Sequence, residues 1–154
     1  MVTAKVLDAG ADAALQQALG YWQHVRGRRP MPARKDLNPA DIPRLLPKLM
    51  LADVSGRAAD TQVPQISFRL VGTEVVGRFG CELTGYHLSE IDYGAQTDEV
   101  AALYRRVVDR AEPQYACIEF RQSRVRLFQM QHLLLPLSDD GAKVNMILAV
   151  VHCQ

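Results

Sequence analysis

The chain has 154 residues, of which 48% are hydrophobic and 23% charged, with a net charge of +1. This length suits one domain with a full core, and the near-neutral balance exerts no global pull toward nucleic acid or anionic lipid. No apolar run approaches the roughly 20 residues a membrane helix needs, and the start of the chain lacks the basic-then-apolar order of a secretion signal.

Ala11, Ala14, Leu15, Ala18, Leu19, Trp22 and Val25 fall on one face at helical spacing, with Asp12, Gln16, Gln17 and Gln23 elsewhere. They predict an amphipathic helix over 11–26, stopped by Gly27. Two partners are open to its apolar face: its own domain, or the same helix of a second subunit, with Leu15, Leu19 and Trp22 as the interface. Residues 28–36 carry two prolines and four basic side chains without a period, as an extended linker would. Asn38 is placed to cap a turn that opens on Pro39, while Pro43 and Pro47 keep helices there short.

A strand is expected over 48–54, with Leu49, Leu51 and Ala52 buried, then a polar loop over 55–64. Ile66, Phe68 and Leu70 alternate with polar neighbours and mark a second strand. Gly72 and Thr73 break it, and Thr73 is positioned to cap a short helix through Phe79. Gly80 and Gly85 suit positive φ. Thr97, followed by Asp98 and Glu99, is placed to cap a helix to about Ala111 whose inner stripe is Val100, Leu103, Tyr104, Val107 and Ala111. Strands follow over 114–121, 124–136 and 143–153, the last two joined at Asp139-Asp140-Gly141. Strands in runs around a helical block predict an α+β fold with an antiparallel sheet.

Phe68-Arg-Leu-Val-Gly-Thr-Glu-Val-Val-Gly-Arg-Phe-Gly80, closed by Leu83-Thr-Gly-Tyr-His-Leu-Ser-Glu-Ile91, resembles the first half of a PAS sensor domain. Tyr21-Trp22, Arg26-Gly27 and the Pro-x-Arg-x-Asp run ending at Asp36 resemble a bacterial family of short stand-alone PAS proteins. The resemblance implies a five-stranded antiparallel sheet with a helical block on one face. The chain divides accordingly into a flexible 1–10, a helix and linker over 11–36, and a PAS-like domain over 37–154. The resemblance also implies a sensor that docks rather than catalyses, and the cysteine usage, an odd set without Cys-x-x-Cys spacing, suggests a cytoplasmic protein. With the chain closing just after the last expected strand, its signal would pass to a separate protein in trans, with a homodimer as the expected assembly.

None of the phosphate-loop, nucleophile-elbow, dinucleotide or zinc-protease signatures occurs, and His24, His87, His132 and His152 lack the i,i+4 spacing of a metal pair. Cys81, Cys117 and Cys153 form an odd set without Cys-x-x-Cys spacing, as expected of reduced thiols. The residues leave the cofactor unknown. Flavin photosensors of the resembling class carry Asn-Cys-Arg-Phe-Leu-Gln after the short helix, where this chain has Phe79-Gly-Cys-Glu-Leu83, which speaks against a flavin–thiol adduct. The long helix has no histidine to take haem iron.

Phe68, Leu70, Phe79, Leu83, Ile91, Tyr104, Met130 and His132 are the candidate walls of an interior pocket, with His132 and Tyr104 as its polar anchors. The bland alternative, a core filled at ordinary density, is favoured. One alternation on the third and fourth strands is polar (Cys117, Glu119 and Arg121, with Gln129 and Gln131), suited to solvent or a partner subunit. Arg26, Arg28, Arg29, Arg34 and Lys35 form a basic cluster. It is read either as a phosphate or nucleotide contact or, preferably, as Arg34 pinned to Asp36 or Asp53. DNA binding is not expected without a recognition helix or aromatic platform. The two functional readings are a signalling module acting through association, and a small-molecule or nucleotide receptor.

Overall fold

The computed structural model describes residues 7–57, 64–121 and 127–154. Five strands, β1 (Leu49–Arg57), β2 (Pro64–Val71), β3 (Gln114–Arg121), β4 (Leu127–Leu137) and β5 (Met146–Cys153), form one sheet in the order β2-β1-β5-β4-β3. Every neighbouring pair is antiparallel. Among the described residues three α-helices accompany them: α1 (Ala13–Arg26), α2 (Thr73–Phe79) and α3 (Thr97–Arg110). The α+β class and the antiparallel sheet are as the strand order predicted.

The register sorts the strand residues between two faces. Ala52, Phe68, Ile147, Ala149, His132, Met130 and Ile118 alternate onto an inner face, and Leu49, Leu51, Leu148, Val150, Leu133 and Gln131 onto an outer one. β5 lies at the centre and is buried continuously from Met146 to Val151. Such burial needs a cover on both faces. The inner cover is α3, whose Val100, Leu103, Tyr104 and Val107 are all buried. The outer cover is α1, which packs on β4 and β5.

That placement settles the two options open for α1. Leu15, Leu19 and Trp22 belong to the chain's own core, and the Trp22 indole Nε1 donates to the Pro136 carbonyl at 2.9 Å. They are therefore not the exposed interface the sequence suggested. The sheet's outer surface is apolar over β1, β5 and β4, and the nearest apolar helix face covers it. The polar alternation is corrected in part for the same reason. Gln131 is buried, donating to the Gly10 carbonyl and accepting from the Asp12 amide, while Cys117, Glu119 and Gln129 stay exposed.

Several boundaries move. β1 runs on through Ser55 to Arg57 and β2 begins at Pro64, so both ends of the expected 55–64 loop are strand; residues 58–63 lie outside the described residues. The fourth strand was expected from Arg124, and 124–126 likewise lie outside them. β5 starts at Met146 rather than 143 because the preceding loop ties itself up: Asp140 Oδ1 accepts from the Ala142 and Lys143 amides, each at 2.9 Å. Gly72, not Thr73, is the N-cap of α2, and Gln96, not Thr97, is that of α3. The expected 28–36 linker is packed, with Met31, Pro32 and Ala33 buried and Pro32 O accepting from the Ser138 amide.

Candidate functional site

The inner face and its helices build an aromatic cluster. Tyr93 packs edge-on to Phe79 at 5.4 Å and tilted against Phe120 at 5.9 Å. Phe120 stacks on Phe128 at 5.6 Å and approaches His132 at 6.2 Å, while Phe68 meets Tyr104 edge-on at 6.0 Å. Of the expected pocket walls, Phe68, Leu83, Ile91, Tyr104, Met130 and His132 are all buried in this core, and Phe79 is half-buried at its margin.

Leu70 is the exception, and it is a correction. It is 50% exposed and lies on the outer face. The register breaks between Leu51 and Ala52: Phe68 pairs with Ala52 but Leu70 pairs with Leu51. One extra residue on β2, Arg69, changes the parity, so two residues that alternation places together lie on opposite faces.

Two polar atoms in the core are unusual. The Tyr104 hydroxyl and His132 Nδ1 are buried with no hydrogen-bond partner among the described residues. Burial pushes His132 down to about 4, opposed but not offset by the Met130 backbone. The Tyr104 hydroxyl is pushed well up, chiefly by burial and secondly by Tyr93 beside it. Both groups are therefore neutral at physiological pH, and unpaired neutral donors or acceptors in a core are costly.

A cavity of about 400 Å³ opens beside this core, between β2, the 87–97 segment and α3. Ile66, Leu88, Tyr93 and Ala101 supply apolar wall, and His87 and Arg105 stand at an otherwise exposed rim. Local structure explains the placement. The 85–87 segment pairs with β2, with Phe68 N donating to Tyr86 O at 2.9 Å and Gly85 N to Phe68 O at 2.8 Å, which holds His87 opposite Ser67. Thr97 Oγ1 donates to Gly94 O and accepts from the Tyr93 amide, fixing the loop that carries the tyrosine.

None of the eight expected pocket residues lines this cavity; six form the filled core behind it, Phe79 packs at its margin, Leu70 lies on the other face of the sheet, and their neighbours form the wall. Sequence reasoning missed Tyr93, Phe120 and Arg105. Phe120 was visible in the β3 alternation, whereas Tyr93 sits in a loop with no period to reveal its direction. His87, one of the scattered histidines, stands on this rim.

The basic cluster takes varied surroundings. Arg26 lies over the Trp22 ring at 5.1 Å, Arg28 is exposed, and Arg29 binds Asp36 at 2.8 Å. Asp53 pairs with Arg69 at 3.0 Å. Arg34 therefore has neither expected carboxylate, because closer guanidinium groups hold both. Cys81 is exposed. Among the described residues no three His, Cys, Asp or Glu side chains group as a metal site, and no helix is long and apolar enough to cross a membrane.

The fold has relatives among solved structures. A light-oxygen-voltage domain studied with a flavin analogue superposes with a TM-score of 0.54 at 12% identity, covering 75% of this chain and 82% of that one. The Rhodobacter sphaeroides LOV protein superposes with a TM-score of 0.51 at 11% identity, covering 76% and 68%. At these identities the likeness speaks for the fold alone. No curated protein matches the sequence. The sequence pattern of the PAS domain family matches residues 11–151, which take in α1, the helical block and all of the sheet but the last two residues of β5, and the chain belongs to that family of sensory and signalling modules.

Proposed function

We propose that this protein is a non-enzymatic sensory module whose input is a small, mostly apolar molecule taken up in the cavity beneath His87 and Arg105. One observation carries the reading: a cavity of about 400 Å³ with an apolar wall of Ile66, Leu88, Tyr93 and Ala101, and with His87 and Arg105 beside the polar side chains of Gln65, Ser89 and Thr97. That is the composition of a small-ligand site, in size and in the ratio of apolar wall to polar anchor. The buried Tyr104 and His132 beside it add support, since repacking of the aromatic cluster toward a ligand would give those atoms partners.

The output would be association with another protein chain, a second copy or a separate signalling partner, biased by movement of α3 against the sheet. The test is the mass of the purified protein under native and denaturing conditions, compared between wild type and Ala101→Trp, which fills the cavity from α3. A small molecule carried by wild type and lost in the variant supports the proposal. Equal loading of both, or an unloaded wild type whose melting temperature no member of a small-molecule library raises, counts against it.

A further inference from the structure

A second cavity, of about 420 Å³, lies on the opposite face of the sheet. Its floor is Leu49, Leu51, Leu70 and Leu148, and its far wall is Leu37, Ile42 and Leu46 from the short 3-10 turns between Arg34 and Lys48. Large hydrophobic side chains that stay exposed are few among the described residues: Leu46 at 39%, Leu70 at 50% and Tyr86 at 46%. Two of those three meet in this groove. The bulge at Arg69 is what turns Leu70 into it, at a cost in exposed apolar surface that the chain's own packing does not recover.

One charged group lines the groove. Arg34 is half-buried there, its Nη1 donating only to the Leu37 carbonyl at 3.4 Å, with no carboxylate paired to it among the described residues. Around it the charge is one-sided. Six cationic and two acidic side chains stand from Arg28 to Lys48. Both acids are engaged, Asp36 by Arg29 and Asp41 by the Tyr21 hydroxyl. An aliphatic trough with one unpaired guanidinium matches a ligand with an aliphatic tail and an anionic head.

We propose that this outer groove binds a single-chain anionic amphiphile, its tail along Leu46, Leu70 and Leu148 and its head against Arg34. The site is separate from the inner cavity and does not depend on it.

The test is titration of methyl-labelled protein with dodecanoate below its micelle concentration, with dodecyltrimethylammonium as the same tail bearing the opposite charge. The expected result is saturable shifts at the Leu46, Leu70 and Leu148 methyl groups. Leu70→Asp, at an exposed position that leaves folding intact, weakens binding by at least about tenfold. Arg34→Gln weakens dodecanoate by about tenfold and leaves the cationic amphiphile unchanged. Ala101→Trp leaves dodecanoate binding unchanged, which separates this groove from the inner cavity. Shifts confined to the Tyr93 side, equal affinity for both head groups, or indifference to Leu70→Asp would overturn the proposal. So would sedimentation with anionic vesicles, or capture of an acidic peptide, in the absence of any response to free dodecanoate.

Discussion

Lys48 Nζ stands 3.1 Å from His152 Nδ1 and 2.9 Å from Glu74 Oε2. An ammonium only donates, so Nδ1 presents its lone pair and the imidazole proton sits on Nε2, which faces Asp12 Oδ1 at 3.4 Å. Asp12 is also the N-cap of α1, its Oδ2 accepting from the Ala14 amide. One polar chain thus runs from the first turn of α2, past the start of β1 and the end of β5, to the N-terminus of α1. It is a physical connection between the helical block and the helix on the other face.

Lys48→Met removes the cation that selects the tautomer. Long-range nitrogen–proton correlations on wild type are expected to show His152 as the Nε2–H form, and on Lys48→Met a mixture of tautomers. Identical populations would show that Lys48 does not set the proton. The partners are partly exposed, so the stability change is expected to stay within about 1 kcal/mol.

The bulge on β2 makes a contrast between near neighbours. Phe68 is buried against Tyr104, so Phe68→Ala is expected to cost about 3–5 kcal/mol. Leu70 is half in solvent, and Leu70→Ala is expected to change stability by no more than about 0.5 kcal/mol. Urea unfolding of both variants checks this, and similar losses for the two would mean that Leu70 faces the core.

Trp22 anchors α1 to the chain's own sheet. Trp22→Phe keeps much of the packing but leaves the buried Pro136 carbonyl without its donor, a loss of about 1–3 kcal/mol. Sedimentation of the folded protein is expected to be unaltered. A variant that retains full stability but changes its association state would return Trp22 to an intersubunit role.

Gly72 and Gly80 are required for different reasons. A Cβ at Gly72 would overlap the Pro47 carbonyl and lie 2.6 Å from Leu46 O, backbone atoms that cannot turn aside. Gly72→Ala is expected to cost about 3 kcal/mol or more through overpacking. Gly80 has open space around it and φ of 77°, so Gly80→Ala carries only the left-handed penalty of about 1 kcal/mol. Thermal denaturation should rank them in that order, and a milder effect at Gly72 would mean that the segment before β1 moves freely off the sheet.

His132 predicts a pH dependence. Its folded value lies near 4 against 6.5 for the free imidazole, so the unfolded chain takes up the proton first as pH falls. The stabilisation is complete above about pH 6.5 and is lost progressively down to about pH 4, amounting to about 3 kcal/mol. His132→Leu should flatten that part of the stability profile. An unchanged slope would place the imidazole in contact with water.

Much of the architecture was legible in the residues. The apolar spacing of 11–26 and 97–111, the glycine stops and the run of three late strands specify elements by local rules of period and backbone freedom, which need no knowledge of neighbours. The α+β class follows from their order. What tertiary structure alone decided is which side of the sheet each surface meets. A one-residue bulge, invisible in alternation, sent Leu70 outward; competition among guanidinium groups left Arg34 without Asp36 or Asp53; and the outer sheet face took α1 that a second subunit was equally suited to take. Local periodicity states how a side chain faces within its own element, but burial, pairing and cavities depend on which distant atoms arrive opposite it.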